Sequence, residues 1–388
     1  MSARDADVLV IGGGPAGCVA AIRLVEAGHD VLVLERRSEA TDGAERIESG
    51  ELLAPMTQVE CQRLGVAFEG PWVLDRTTAV RNVYPDLSWT YHDLPGGLHY
   101  QNVDRGGFDA ALRARFRAVG GRISWDHRVT AVDVRADEVV VRTAEGDEWR
   151  APLVIDAAGR HAPSPRLFKL KTEDPEFRQI AIALFFSELP DAAVGFWDRH
   201  LYGERGATIS GARIRPGLFR LVLEADLAEK QADRSAPVEF FARMAERFDP
   251  WVAERLGSAP RVGEWAMAPL AYRVTSVARD RLLLAGDATG YLSPFTGMGC
   301  EFAMRMGRLA AEAAHDAFAR GDCSANAFAG YIEGRRDELE SSIAYLRHML
   351  HNLRDRDALL RASTDDDARA AIFGAPFAHL VDRGRLVA

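Results

Sequence analysis

Lysine is almost missing from this chain of 388 residues. Lys169, Lys171 and Lys230 are the only three among 48 basic side chains, so no side-chain amine precedes residue 169. Cysteine is scarce too. Cys18, Cys61, Cys300 and Cys323 show no CxxC spacing and too low a density for a disulfide framework, which fits a reducing compartment. No apolar run approaches the roughly 20 residues of a membrane span. The N-terminus enters its first strand with no secretory leader, so the expectation is a cytoplasmic protein without stable membrane insertion. A net charge of −9 lacks the basic excess that a nucleic-acid surface needs. What is left, 47% hydrophobic and 27% charged residues, is ordinary for a globular protein long enough to form two domains.

The first 35 residues carry the clearest signal. Val8-Leu9-Val10-Ile11 breaks at once into Gly12-Gly13-Gly14-Pro15-Ala16-Gly17; a helical segment runs to Gly28, and a second apolar run, Val31 to Leu34, ends on Glu35. Strand, glycine turn, helix, strand and acid follow in the order of a dinucleotide-binding βαβ unit. Gly12 permits the tight turn, Gly14 lets the backbone approach a pyrophosphate, and Gly17 lets helix and strand pack closely. The phosphates then meet the positive end of the helix. At a strand end, the Glu35 carboxylate can accept hydrogen bonds from ribose hydroxyls.

The remaining chain reads as alternating elements. An amphipathic helix ends near Leu64, aromatic-rich strands occupy Trp72 to Tyr100, and a helix spans Phe108 to Val119. Short strands are expected at 123–125, 129–134, 139–143 and 149–155, the last ending in Asp156-Ala157-Ala158-Gly159. Residues 177–224 alternate, with Ile180, Ile182, Leu184 and Phe186 on one side, and Arg215-Pro216-Gly217 marks a hairpin. The run Arg281 to Ala285 meets Gly286-Asp287, and after Pro294 and Gly297-Met298-Gly299 the chain turns almost wholly helical.

Three separated motifs, Gly12–Gly17, Asp156–Gly159 and Gly286–Gly299, occur in order, and on them the chain resembles the para-hydroxybenzoate hydroxylase-like superfamily of FAD proteins. That group includes flavin monooxygenases, flavin-dependent halogenases and geranylgeranyl reductases. The resemblance implies an α/β fold: a Rossmann-like FAD-binding domain (1–75, 101–176 and 267–320) interleaved with a smaller β-sheet substrate domain (76–100 and 177–266) and a helical C-terminal tail (321–388). It implies FAD held by Gly12, Gly14, Pro15, Ala16 and Gly17 together with Glu35 and Arg36. It places Arg105 at the pyrophosphate, Val129 at adenine, and Asp156 and Gly159 in the middle motif. Gly286 and Asp287 then serve the flavin side, with Pro294, Gly297, Met298 and Gly299 along the ring. A helix opening at Gly299 would aim N–H groups at a flavin edge that turns negative on reduction.

The stretch 286–307 looks most like the geranylgeranyl reductase branch, whereas Glu48-Ser49-Gly50 departs from that branch's Cys-Gly-Gly, and Gly50 to Pro55 is similar to halogenase-like monooxygenases. Halogenases of this group depend on a lysine between the first two motifs, which is absent here, as is their Trp-x-Trp-x-Ile-Pro signature; halogenation is disfavoured. The leading expectation is an NAD(P)H-consuming monooxygenase acting on a small apolar or aromatic metabolite. The alternatives are an ene-reductase on an unsaturated chain, or an FAD-binding partner protein without turnover. No Ser-His-Asp or paired-carboxylate constellation stands out, because the cofactor carries the hard step. Cys300 is a flavin-proximal candidate or a small core residue. Arg46 is a phosphate or nicotinamide contact or a solvated loop residue. His92 and His99 are substrate contacts or strand residues. Phe185, Phe186, Phe196, Trp197 and Phe219 line a pocket or pack the core. His348 and His351 share a helical face without a third metal ligand.

Overall fold

The apolar runs of the three motifs line up side by side. In the computed structural model, which describes residues 5–46, 51–174, 176–187, 189, 195–290 and 299–373, a six-stranded sheet is ordered Ala278–Arg279, Leu282–Leu284, Leu153–Asp156, Val8–Ile11, Val31–Leu34 and Arg122–Ser124. All neighbours are parallel except the first pair. Such strands are buried on both faces, which is why they read as unbroken apolar runs. Val8 and Val10 face the helices, while Leu9 and Ile11 face a three-stranded antiparallel sheet, Val129–Val134, Val139–Thr143 and Glu148–Ala151. Each motif is therefore the loop leaving the carboxyl end of one of three adjacent strands.

The glycine spacing of the first turn has a direct steric cause. Gly12 has φ +96°, and a Cβ on Gly17 would lie 1.9 Å from the Gly12 carbonyl oxygen. The helix Pro15–Glu26 is buried along most of its length between the sheet and the long helix Gly299–Arg320. The stretch expected as one strand at 149–155 is two strands in different sheets, Glu148–Ala151 and Leu153–Asp156. Pro152 separates them, since proline cannot donate to a ladder.

A seven-stranded sheet forms the other layer, in the order Arg261–Met267, Gln179–Phe186, Leu218–Asp226, Thr208–Arg215, Phe196–Leu201, Ala79–Val83 and Trp89–Asp93. Period-two alternation gives it two faces. Ile180, Ile182, Leu184, Phe186, Leu221 and Leu223 pack under the helix Pro237–Phe248 through Phe240, Phe241 and Met244. The opposite face looks toward the three motifs. Helices Ala329–Leu353, Arg356–Thr364 and Asp366–Phe373 close the molecule, burying Leu346, Met349, Leu350 and Leu353 with Tyr84, Leu201 and Ala271.

Candidate active site

A cleft of about 810 Å³ runs from the carboxyl ends of the parallel strands to the open face of the seven-stranded sheet. At its first end the helix Pro15–Glu26 presents its N-terminus, with Gly14 as cap and no acidic residue in the first turn. Gly12, Gly14, Pro15 and Ala16 line the cleft, and a Cβ at Gly14 would meet no protein atom within 4 Å. Bare N–H groups at a helix start, with backbone open to close approach, form a cradle for a diphosphate.

Glu35 lines the same end. Its Oε2 accepts the Gly13 N–H at 2.7 Å and its Oε1 the Arg37 N–H at 2.9 Å. Burial pushes its pKa up, while the Gly13 N–H and the charges of Arg113 and Arg36 pull the other way. Each carboxylate oxygen keeps a second lone pair, so ribose hydroxyls can still be accepted. Arg113, buried below, donates to the Gly13 carbonyl at 2.8 Å and pairs with Asp42, pinning the turn. Arg36, Arg37, Arg105, Arg128 and Arg166 surround this end and favour an anion, with His127 and His161 beside them.

Arg105 opens the helix Arg105–Ala118 and is aimed by Asp109, one turn on, through a 2.9 Å bond from Nε to Oδ1. Arg46 does not line the cleft: it donates to Asp109 Oδ2 at 2.7 Å and braces Arg105 from behind. Val129 and Gly159 do line it. Asp156 is wholly buried beneath the loop; its carboxylate accepts N–H groups of Ala158 at 3.1 Å and Ser164 at 2.8 Å, so it shapes the middle motif rather than facing the cleft. Gly17 and Gly286 are likewise packing positions, each placed where a Cβ would strike the first turn or its helix.

The third motif enters at the centre. Asp287, Gly299, Cys300 and Ala303 line the cleft; Pro294, Gly297 and Met298 lie outside the described residues. Burial raises the Asp287 carboxyl, opposed by the charges of Arg105 and Arg160. The turn Gly286–Thr289 is held from the C-terminal helices: Arg335, 2% exposed, donates to Thr289 Oγ1 at 3.1 Å and to the Gly290 carbonyl at 2.9 Å. Burial also pushes the Cys300 thiol up, so it stands as a neutral thiol beside the cleft.

Beyond the motifs lies the sheet face, where Ala181, Trp197, Ser210, Arg220, Val222, Glu224, Trp265 and Met267 line the cleft. Of the five aromatics considered in the sequence, only Trp197 is here; Phe185 and Phe186 pack in the core, Phe219 packs against it from the other face of the sheet, and Phe196 lies tilted against Tyr91. His92 sits exposed on the edge strand, and His99 lies off the cleft, its carbonyl accepting from Gln58. Arg220 and Glu224 escaped the sequence reading. Their signal was two ionisable residues, four apart, on one face of a strand, with the apolar run Leu221, Val222 and Leu223 between them. None of the three lysines lines the cleft, though Lys171 Nζ lies 4.0 Å from the centroid of the Tyr272 ring. Among the described residues no group of three or more His, Cys, Asp or Glu is arranged to hold a metal, and no helix is long and apolar enough to cross a membrane.

The profile of the family described as "FAD binding domain" matches residues 82–326, and that of "FAD dependent oxidoreductase" matches residues 7–56. The chain is similar to a digeranylgeranylglycerophospholipid reductase of Methanosarcina mazei, 26% identical over 330 residues that cover 82% of this chain and 77% of the relative. It is also 25% identical to a flavin-dependent halogenase of Armillaria mellea, over 94% of this chain and 75% of that one. Among solved structures, the flavin-dependent halogenase CmlS shares the fold with a TM-score of 0.78 at 23% identity, covering 97% of this chain and 71% of that chain. The cradle, the buried acid and the cationic rim fit FAD.

Proposed function

The chain belongs to the FAD-binding family of FAD-dependent oxidoreductases, and from that premise we propose that it is an NAD(P)H-consuming monooxygenase acting on a small aromatic or otherwise unsaturated metabolite. When bound, FAD supplies the redox chemistry, accepting hydride and passing electrons on to oxygen or substrate. The chain's own residues bind, orient and exclude water. The diphosphate is assigned to the start of the helix Pro15–Glu26 with Arg105, the ribose to Glu35, and the reactive end to the side lined by Asp287, Gly299 and Cys300.

The lining of the sheet face carries the choice of substrate. Across five strands, roughly 19 Å at the usual strand spacing, Trp197 and Trp265 flank Ala181 and Val222, with Ser210, Arg220 and Glu224 set among them. A mixed surface of this kind suits a flat, oxygen-bearing skeleton better than a long saturated tail. The test is NAD(P)H oxidation with candidate substrates in air and under argon. Product that carries an added oxygen, formed only in air, supports the reading; equal turnover without oxygen would sink it.

A second reading, reduction of a carbon–carbon double bond, is favoured by the sequence pattern around Gly286-Asp287 and 299–307 and by the reductase named above. Anaerobic turnover with loss of a double bond would favour it. Halide-dependent turnover would instead point to halogenation.

A further inference from the structure

The register of the seven-stranded sheet puts its cleft face in rows. One row reads Leu201, Thr208, Glu224, Ala181 and Met267 across five strands; the next reads Arg199, Ser210, Val222, Ala183 and Trp265. Glu224 is thus a carboxyl in a largely apolar row, 9% exposed, on the wall of the cleft. Its partners are few. Thr208 Oγ1 donates to its Oε2 across 3.5 Å, the outer limit of a hydrogen bond.

The cations that face it are engaged elsewhere. Arg220, on the same strand, donates from Nη1 to Glu51 Oε2 at 2.5 Å. Arg199, on the strand Phe196–Leu201, donates to Asn82 Oδ1 at 3.0 Å, stacks over Phe373 of the last helix, and has Tyr345 of the helix Ala329–Leu353 nearby. Glu224 also borders a smaller pocket walled by Met349, Leu353 and Phe373. Desolvation outweighs the Thr208 bond and both arginine charges, pushing its pKa up to about 7. Buried carboxyls in folded proteins are usually well satisfied by hydrogen bonds. This one, on a cavity wall, has room for one more partner.

We propose that Glu224 is the substrate-recognition residue of the cleft, donating its carboxyl proton in a hydrogen bond to the carbonyl oxygen of a conjugated ketone or quinone that lies over Ala181 and Val222. An uncharged acid donor selects an uncharged acceptor, and the surrounding Ala181, Val222, Met267 and Trp265 suit an unsaturated ring. The inference rests on the sheet face being the substrate side of the cleft, as in the function proposed above. It does not depend on which reaction follows.

The experiment is a binding titration of the oxidised, FAD-loaded full chain with 2,3-dimethyl-1,4-naphthoquinone and, as its counterpart without oxygens, 2,3-dimethylnaphthalene, followed by the flavin difference spectrum. At pH 6 the quinone is expected to bind about tenfold more tightly, the value of one good hydrogen bond. That preference should fall as pH rises to 8.5 and the carboxyl ionises. Glu224→Gln keeps a donor, so the preference should persist and lose its pH dependence; Glu224→Leu should abolish it while FAD stays bound. Equal binding of the two probes to the parent protein, or a pH dependence retained in Glu224→Gln, overturns the assignment of Glu224 alone. Failure of both probes to bind overturns the substrate-side reading and the assignment with it.

Discussion

At the residue scale the site is a set of ionisable groups whose surroundings decide their charge. Glu35 is the clearest, because it ties the glycine turn to the end of the second strand through Gly13 and Arg37. Glu35→Ala removes those bonds together with the proposed ribose acceptor, and FAD affinity should fall about fivefold or more, on the order of 1–3 kcal/mol. Equilibrium dialysis of FAD checks this, and an unchanged affinity would remove Glu35 from the ribose. Glu301, in the first turn of the helix Gly299–Arg320, is pushed up to about 7 by burial, against which Arg305 works only partly; its Oε2 is buried without a hydrogen bond among the described residues. Between the ordinary carboxyl value of 4.5 and about 7 the unfolded chain loses this proton while the native one keeps it. Stability from this group therefore falls as pH rises through that window. Glu301→Gln should flatten that fall, so that its thermal midpoint drops less between pH 5 and pH 8 than the parent's. Parallel curves for the two proteins would show that Glu301 is solvated.

At the element scale the third motif depends on a helix far away in sequence. The turn Gly286–Thr289 follows the strand Leu282–Leu284, yet Arg335 of the helix Ala329–Leu353 bonds both Thr289 and Gly290, and Tyr331 of the same helix donates to the Leu284 carbonyl. Arg335→Met leaves two acceptors without a donor inside the molecule and should cost about 2–4 kcal/mol in denaturant unfolding. FAD release should also quicken, because the loosened turn carries Asp287. A variant that unfolds earlier but retains FAD as long as the parent would separate the turn from the cofactor. Such a dependence was not legible in the sequence. Arg335 lies among many arginines of a helical stretch, and only the packing of that helix shows which one is buried. By contrast, the first motif was legible down to its glycines, because a tight turn under a helix start is a local steric problem. Pro152 was equally visible; the run of apolar residues around it obscured the break between two sheets.

At the scale of the whole molecule, two layers meet so that three loop ends face one sheet. The C-terminal helices take part in that meeting, burying Leu346, Met349 and Leu353 against Tyr84, Leu201 and Ala271. A chain ending at Arg320 would expose this apolar surface and lose Arg335. It is expected to aggregate or to purify without flavin, and a soluble yellow fragment would show the helices to be dispensable. The sequence by itself determined the dinucleotide turn and the acid that follows it, since each is written in short-range spacing with a local physical cause; FAD followed from the family resemblance that the three motifs carry in order. Only the tertiary structure decided that Asp156 and Arg46 stand behind the cleft while Arg105 and Asp287 line it. It also put Glu224 on the wall opposite the motifs, because side chains distant in sequence become neighbours only when the strands of different segments take their register.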